Sequence, residues 1–325
     1  MKRRDFILGL GGAVLCSEAA QGQQTSPTVG VLAEGTEQSA RSGFASIKAR
    51  LAEMGYVEGR NLAVEYRWGD FRQERLADLA RALDERQVAA IVTFGGPATV
   101  AAKSVTTSTP IIFYTGFDPV VSGYVKSLNQ PGGNVTGVYI LNSQLIIKRL
   151  EILHELVPTA KKIAFFYTDT GDPKANLYAD QILKAADRIG IEMLPLSASH
   201  VDEIEGLFAR AGSEHADAIL VNQHGVYFAN GGKLLTDLAQ RYRIPVMYPL
   251  RLFAAAGGLV SYGQDDSETS PVIATLVGRV LNGEKPENLP VQQVTKFELV
   301  INSRTAKSLG VQIPMHLLGL AEMIE

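Results

Sequence analysis

VAAIVTFGGPATVAAK, residues 88–103, sets an apolar run, a Gly-Gly-Pro turn and a helical stretch in direct succession. Residues 88–94 are short, uncharged and rich in Val and Ile, as expected of a strand covered on both faces. Pro97 suits the first turn of a helix, where the missing N–H costs nothing. The stretch therefore reads as a strand that enters a helix through a tight loop. ADAILVNQHG, residues 216–225, has the same strand-to-loop form and is also followed by a helical pattern.

Working outward, the whole chain repeats this plan twice. PTVGVLAEG (27–35) is a strand and turn, and Phe44, Ile47, Leu51 and Met54 follow at helical spacing until Gly55. NLAVEYRW (61–68) alternates as a strand, LADLARALDERQ (76–87) is an amphipathic helix, and TPIIFYTGFDP (109–119) is a short strand introduced by proline. From Lys161 the order returns. KKIAFFYTDTGD is a strand and turn, ANLYADQILKAADRIG a helix, IEMLPLS a strand and VDEIEGLFARAG a helix. GGKLLTDLAQRYRIPVMYP then supplies a helix, a proline and a short strand. Even the closing pieces match, TPIIFY against IPVMYP. One helical pattern between each pair of apolar runs predicts parallel sheets built from βαβ units, and hence an α/β protein of two doubly wound Rossmann-like lobes. The 325 residues suffice for two lobes, and a 46% hydrophobic content supplies both cores.

In an open parallel sheet, ligands bind beyond the carboxyl ends of the strands. Those ends carry AEGT, GGPAT and TGFDP in the first half, and TDTGD and NQHG in the second. If the two edges face each other, the loops line a cleft. The GGPAT loop matches neither G-x-x-x-x-G-K-[ST] nor G-x-G-x-x-G, so no nucleotide site is read there. A helix N-terminus at that loop favours an anion or carbonyl oxygen. GGLVSYG around Ser261 has the wrong spacing for a nucleophile elbow, and H-E-x-x-H does not occur. His154, His200, His215, His224 and His316 are scattered, and only His224 lies on a strand-end loop. No catalytic residue, metal site or cofactor is assigned. A net charge of -3, with basic residues clustered only at the N-terminus, argues against a nucleic-acid partner.

The N-terminus reads as an export signal. MKRRDFILGLGGAVLCSEAAQGQQ has a basic start, a short apolar segment and small residues, with Arg3 and Arg4 placed as in a twin-arginine leader. Cleavage is expected near Gly22, which removes the only cysteine, Cys16; Leu15 before it is a poor match to a lipoprotein site. The apolar run is too short to cross a bilayer, so a soluble periplasmic protein, not itself membrane-spanning, is expected.

Four segments resemble the ABC-transporter substrate-binding proteins of the tryptophan-binding type. They are MGYVEGRNLAVEYRW (54–68), DPVVSGYVKSLNQPGGNVTG (118–137), GGLVSYG (257–263) and the C-terminal run LPVQQVTKFELVINSRTAKSLGVQIPMHLLGLAEMIE (289–325). The resemblance covers nearly the whole chain. It implies a type I periplasmic-binding-protein fold whose lobes are joined by three crossovers, near residues 137–142, 262–265 and 289–296. Lobe one is then 27–137 plus 265–290, and lobe two 138–264 plus 291–325, with 1–22 as the leader. It also implies a monomeric receptor that closes by hinge motion on a small molecule, an aromatic amino acid or a related aromatic or organic acid, and delivers it to an ABC permease in the inner membrane. The expected ligand contacts are Glu34, the turn at Gly96 and Ala98 with Thr99 for a carboxylate, and Asp118 or Asp169 for an ammonium. Phe117, Tyr139 and Tyr248 are placed to stack on an apolar body, with core packing as the rival reading of each. Asn142, Asn222 and Gln223 are placed to hydrogen-bond across the cleft, while Asp118 before Pro119 also suits a turn. Family members usually carry Ser or Thr where this chain has Gly96. An exported enzyme without a recognisable motif and a ligand sensor for a membrane receptor are the other two readings.

Overall fold

The computed structural model describes residues 26–168 and 173–325. The expected leader with Cys16, and Asp169, lie outside the described residues. A first passage of chain runs β1 (Thr28–Ala33), α1 (Glu37–Glu53), β2 (Ala63–Trp68), α2 (Leu76–Glu85), β3 (Ala90–Phe94), α3 (Gly96–Val105), β4 (Ile111–Thr115) and β5 (Val135–Tyr139). A second runs α4 (Asn142–Leu156), β6 (Lys162–Tyr167), α5 (Pro173–Arg188), β7 (Glu192–Ser197), α6 (Ile204–Ser213) and β8 (Ala218–Val221). It continues through α7 (Lys233–Tyr242), β9 (Val246–Tyr248), α8 (Arg251–Ala255) and β10 (Val260–Gln264). The last comprises α9 (Asp266–Leu281), β11 (Gln292–Gln293), β12 (Phe297–Asn302), α10 (Ser303–Leu309), α11 (Met315–Leu320) and β13 (Glu322–Ile324).

These strands form two sheets, β11-β5-β4-β3-β1-β2 and β13-β12-β10-β9-β8-β6-β7. Each interior strand is buried because helices cover both faces. β3, for example, places Val92 with Phe44 of α1 and Ile273 of α9 on one side, and Ile91 with Ala102 of α3 on the other. That double burial is why its sequence is continuously apolar rather than alternating. The second sheet is built alike, with Phe165 in the core under α4 and Phe166 in the core under α6.

The chain passes between the sheets after Tyr139, after Gln264 and after Gln293. Two features depart from the sequence reading. Val138 and Tyr139 pair with Gln292 and Gln293 in the first sheet, so these residues sit with the first lobe rather than the second. β11 consists of two exposed glutamines, paired to β5 through the backbone, which leaves no apolar pattern to detect. β12 also runs antiparallel to β10, whereas every other pairing is parallel.

Asp265 ties two of the passages together. Its carboxylate accepts from Ser267 N at 2.8 Å, which caps α9, and pairs with Lys296 at 2.9 Å. The Ser267 bonds and Lys296 hold the Asp265 carboxyl at about 2, below its ordinary 3.8. Its stabilisation is therefore present above pH 4 and lost as pH falls through about 2. Asp265→Ala is expected to cost about 1 kcal/mol at pH 7, the worth of an N-cap. Urea unfolding at pH 7 and again at pH 2 checks this; an equal loss at both pH values would contradict it.

Candidate functional site

The carboxyl edges of the two sheets face each other across a cleft of about 1660 Å³. This exceeds the space that a single small ligand occupies, so enclosure depends on how the lobes approach. The first lobe contributes the loops after its strands: Glu34 and Gly35 after β1, Asp70 and Phe71 after β2, Gly95 and Gly96 after β3, and Gly116 to Asp118 after β4. The second contributes Asn142 and Ile146 of α4, Tyr167 and Thr168 at the end of β6, Asn222 to Gly225 after β8, and Gln264. Thr269 and Ile273 of α9 complete the floor.

Of the residues singled out from sequence, Glu34, Gly96, Phe117, Asp118, Asn142, Asn222 and Gln223 line this cleft. Ala98, Thr99, Tyr139 and Tyr248 do not, and each is buried in a core. The Thr99 hydroxyl bonds to Thr93 Oγ1 at 2.8 Å and donates to Gly95 O at 3.0 Å, and its N–H also goes to Gly95 O. Thr99 is consequently spent on its own turn. Tyr139 packs among Phe113 and Tyr124, with its hydroxyl donating to Gln293 Oε1 at 3.0 Å. Tyr248 stacks on Phe253 with ring centroids 5.0 Å apart, and burial pushes its phenol up. The two tyrosines share one reason. Each is the last residue inside a strand, so its side chain stands on a sheet face under helices. Phe117 and Asp118 lie past the end of β4 and reach the edge.

The cleft residues differ in what they still offer. Asp118 Oδ1 accepts from Val120 N and Val121 N at 2.8 and 3.1 Å, so it shapes the turn as well as lining the cleft. Asn222 Oδ1 accepts from Gln223 N at 2.8 Å. Asn142 Oδ1 and Gln264 Oε1 are buried polar atoms without a hydrogen-bond partner among the described residues. At Gly96, a Cβ would stand 2.9 Å from the Tyr124 hydroxyl and 3.0 Å from Phe117, so the two rings occupy the space of the usual Ser or Thr.

Glu34 is the most perturbed acid of the wall. Among the described residues no cation pairs with it, and burial pushes its carboxyl up to about 7. It shares a small side pocket with Phe71, Thr168, Ser199 and His224. Burial also holds the His224 imidazole down at about 4, so that ring is neutral.

Three residues escaped the sequence reading. Phe71 reaches from the first lobe to the second, where its ring meets His224 at 5.8 Å and joins the core under α6 and α7. Its only signal was an aromatic residue in the polar run GDFRQER. Gln264 sits at the second passage and donates to the Tyr114 hydroxyl at 3.0 Å. Arg149 lies wholly buried behind Gln223. In NSQLIIKRLEILHEL it falls one turn after Ile146, on the apolar face, and that spacing was the available clue.

Comparison with known proteins agrees with this architecture. The profile of the family described as ABC transporter substrate binding protein matches residues 29–324. A relative named tyrosine-binding protein, from Clostridioides difficile, is 27% identical over 273 residues, which cover 84% of this chain and 77% of the relative. A conserved domain protein from Vibrio cholerae superposes with a TM-score of 0.81 at 26% identity, covering 92% of this chain and 100% of that one. An ABC domain from Streptococcus pneumoniae in complex with L-Trp superposes with a TM-score of 0.79 at 25% identity, covering 93% and 100%. The two facing sheets, the cleft between their carboxyl edges and a family match across almost every described residue lead to one statement: this chain belongs to the ABC transporter substrate-binding proteins.

Proposed function

We propose that the protein is the solute receptor of an ABC importer and binds an aromatic amino acid, or a related aromatic or organic acid, between its lobes. The observation that carries this reading is the make-up of the cleft. It joins an acid without a cation, Glu34, to aromatic walls at Phe94, Phe117 and Tyr167 and to amides at Asn142, Asn222 and Gln223. Such a site mixes a few oriented polar groups with apolar surface, as small-molecule sites do. In this reading Glu34 takes the ammonium, Phe117 lies on the ligand's ring, and the amides and Asp118 bond its polar edge. The tyrosine and tryptophan named for two of its relatives lend the aromatic ligand support. The receptor works in the periplasm after losing residues 1–22, performs no chemistry and acts as a monomer. The halves close about the three passages, and the closed form presents a surface to the permease.

The test is thermal unfolding of the mature protein, refolded to strip carried ligand, against aromatic and branched amino acids, aromatic acids, nucleosides, sugars and dipeptides. A ligand at about 100 times its Kd should add about 2.7 kcal/mol and several degrees of Tm. Stabilisation by an aromatic amino acid or acid that is recovered unchanged is the expected result. Stabilisation by sugars or nucleosides alone would refute the ligand class, and turnover of the compound would refute the receptor.

A further inference from the structure

We infer that Arg149 makes the cleft selective for a ligand bearing an acidic group, which it engages through Gln223 on the second-lobe wall. The inference rests on the cleft being the ligand site, as proposed above.

Arg149 is 0% exposed, one turn beyond the cleft-lining Ile146 on α4. Its Nε donates to Tyr262 O at 2.6 Å, and its Nη2 to Pro249 O at 3.3 Å and Gln223 Oε1 at 3.4 Å. Nη1 has no partner. All three acceptors are neutral, and among the described residues no carboxylate pairs with this guanidinium. The acids of its own helix are engaged elsewhere, Glu151 by Lys148 and Glu155 by His316. Burial lowers the guanidinium to about 9, which leaves it charged at neutral pH. A buried, unpaired charge is costly, and an apolar side chain of similar volume would serve packing better. An acid on the cleft side of Gln223 would give this charge a counterion.

The acceptors show where that anion belongs. Gln223 and Pro249 lie just past the carboxyl ends of β8 and β9, Tyr262 lies within β10, and of the three Gln223 lines the cleft. Because Gln223 Oε1 faces the guanidinium, the Nε2 end of the amide is the one left for the cleft. A donor there, backed by positive charge, matches an acid oxygen and rejects an ammonium. The first lobe is the reverse: Thr99 has spent its donors, and Glu34 is an acceptor. The ligand acid therefore meets its counter-charge on the second lobe.

Calorimetry with L-tyrosine, L-tyrosinamide, L-tryptophan and L-tryptophanamide tests this on the wild type, Arg149→Met, Arg149→Lys and Gln223→Glu. The wild type should prefer each acid over its amide on the order of 10-fold to 100-fold. Arg149→Met should lose that preference while still binding the amides, and Arg149→Lys should recover part of it. Gln223→Glu keeps the shape of the side chain and sets a carboxylate beside the guanidinium. It should raise the Tm of the empty protein and abolish the preference, which keeps the test decisive if Arg149→Met fails to fold. Equal binding of acid and amide by the wild type, or an acid preference that survives Gln223→Glu, overturns the inference. Binding of neutral sugars alone overturns it while leaving a receptor in place; no binding by any compound defeats both.

Discussion

Phe71→Ala is expected to weaken ligand binding by about 10- to 100-fold while leaving the folding of each lobe nearly intact. Phe71 and its neighbour Asp70 both lie in the left-handed region, at φ 60 and 52, where non-glycine residues are strained. Backbone bonds from Asp70 N to Gly35 O and from Phe71 N to Glu34 O, with the Arg75–Asp70 ion pair at 2.9 Å, hold them there. The strain turns the ring away from its own sheet and into the second lobe. Gly225 receives it: a Cβ at that position would lie 2.5 Å from the Phe71 ring. This ring is therefore buried only when the lobes are together. Fully burying a phenylalanine side chain is worth about 1.5–3 kcal/mol, and under the proposed hinge closure the half-buried Phe71 would put part of that into the ratio of closed to open receptor. Apparent affinity scales with the closed fraction, so removing the ring reduces it by the same factor, chiefly through faster release. Gly225→Val, which fills the seat from the other side, should act in the same direction. Stopped-flow release of a ligand found in the stabilisation screen checks both variants. Wild-type release rates in the two would mean that the clasp does not hold the closed form.

The sequence disclosed the lobes because the signals for strand, helix and stop are local and recur in the same order. The run at 88–103 and the run at 216–225 can be read without knowing their neighbours. Strand direction is not local. FELVIN looks the same whether it pairs parallel or, as β12 does, antiparallel to β10. The cleft was legible to the same extent. Loop position alone places Glu34, Phe117, Asn222 and Gln223 on the edge, since whatever follows a parallel strand must emerge there. Aromatic residues inside strands mislead, because Tyr139 and Tyr248 have the composition of a binding wall and the environment of a core. Arg149 misleads the other way. A helical arginine is ordinarily read as solvent-facing, and only the carbonyls of Tyr262 and Pro249 and the amide of Gln223, brought together by folding, make a buried place for it.

Glu34→Gln is expected to produce the largest loss, about 100-fold in affinity for an amine-bearing ligand at pH 8, with almost no effect on the desamino acid of the same skeleton. Among the described residues no cation pairs with Glu34, and burial raises its carboxyl from 4.5 to about 7. The folded state thus holds a proton that the unfolded chain has already released between those values. Stability should fall as pH rises from 4.5 to 7 and level off above. Glu34 remains partly open to the cleft, so the whole effect should be on the order of 1–2 kcal/mol, and it should vanish in Glu34→Gln. An ammonium reverses the balance. Its charge stabilises the carboxylate, so binding below pH 7 must release the proton that Glu34 carries. Affinity should then drop up to tenfold for each pH unit below about 7, with the neutral His224 beside it adding no opposing charge until about 4. Titrations of L-tyrosine at pH 6 in buffers of different ionisation enthalpy count that proton directly. Close to one proton released by the wild type and none by Glu34→Gln would fix Glu34 as the ammonium partner. No release by either, with undiminished affinity in the variant, would assign the amine to another acceptor and leave Glu34 as a neutral wall of the cleft.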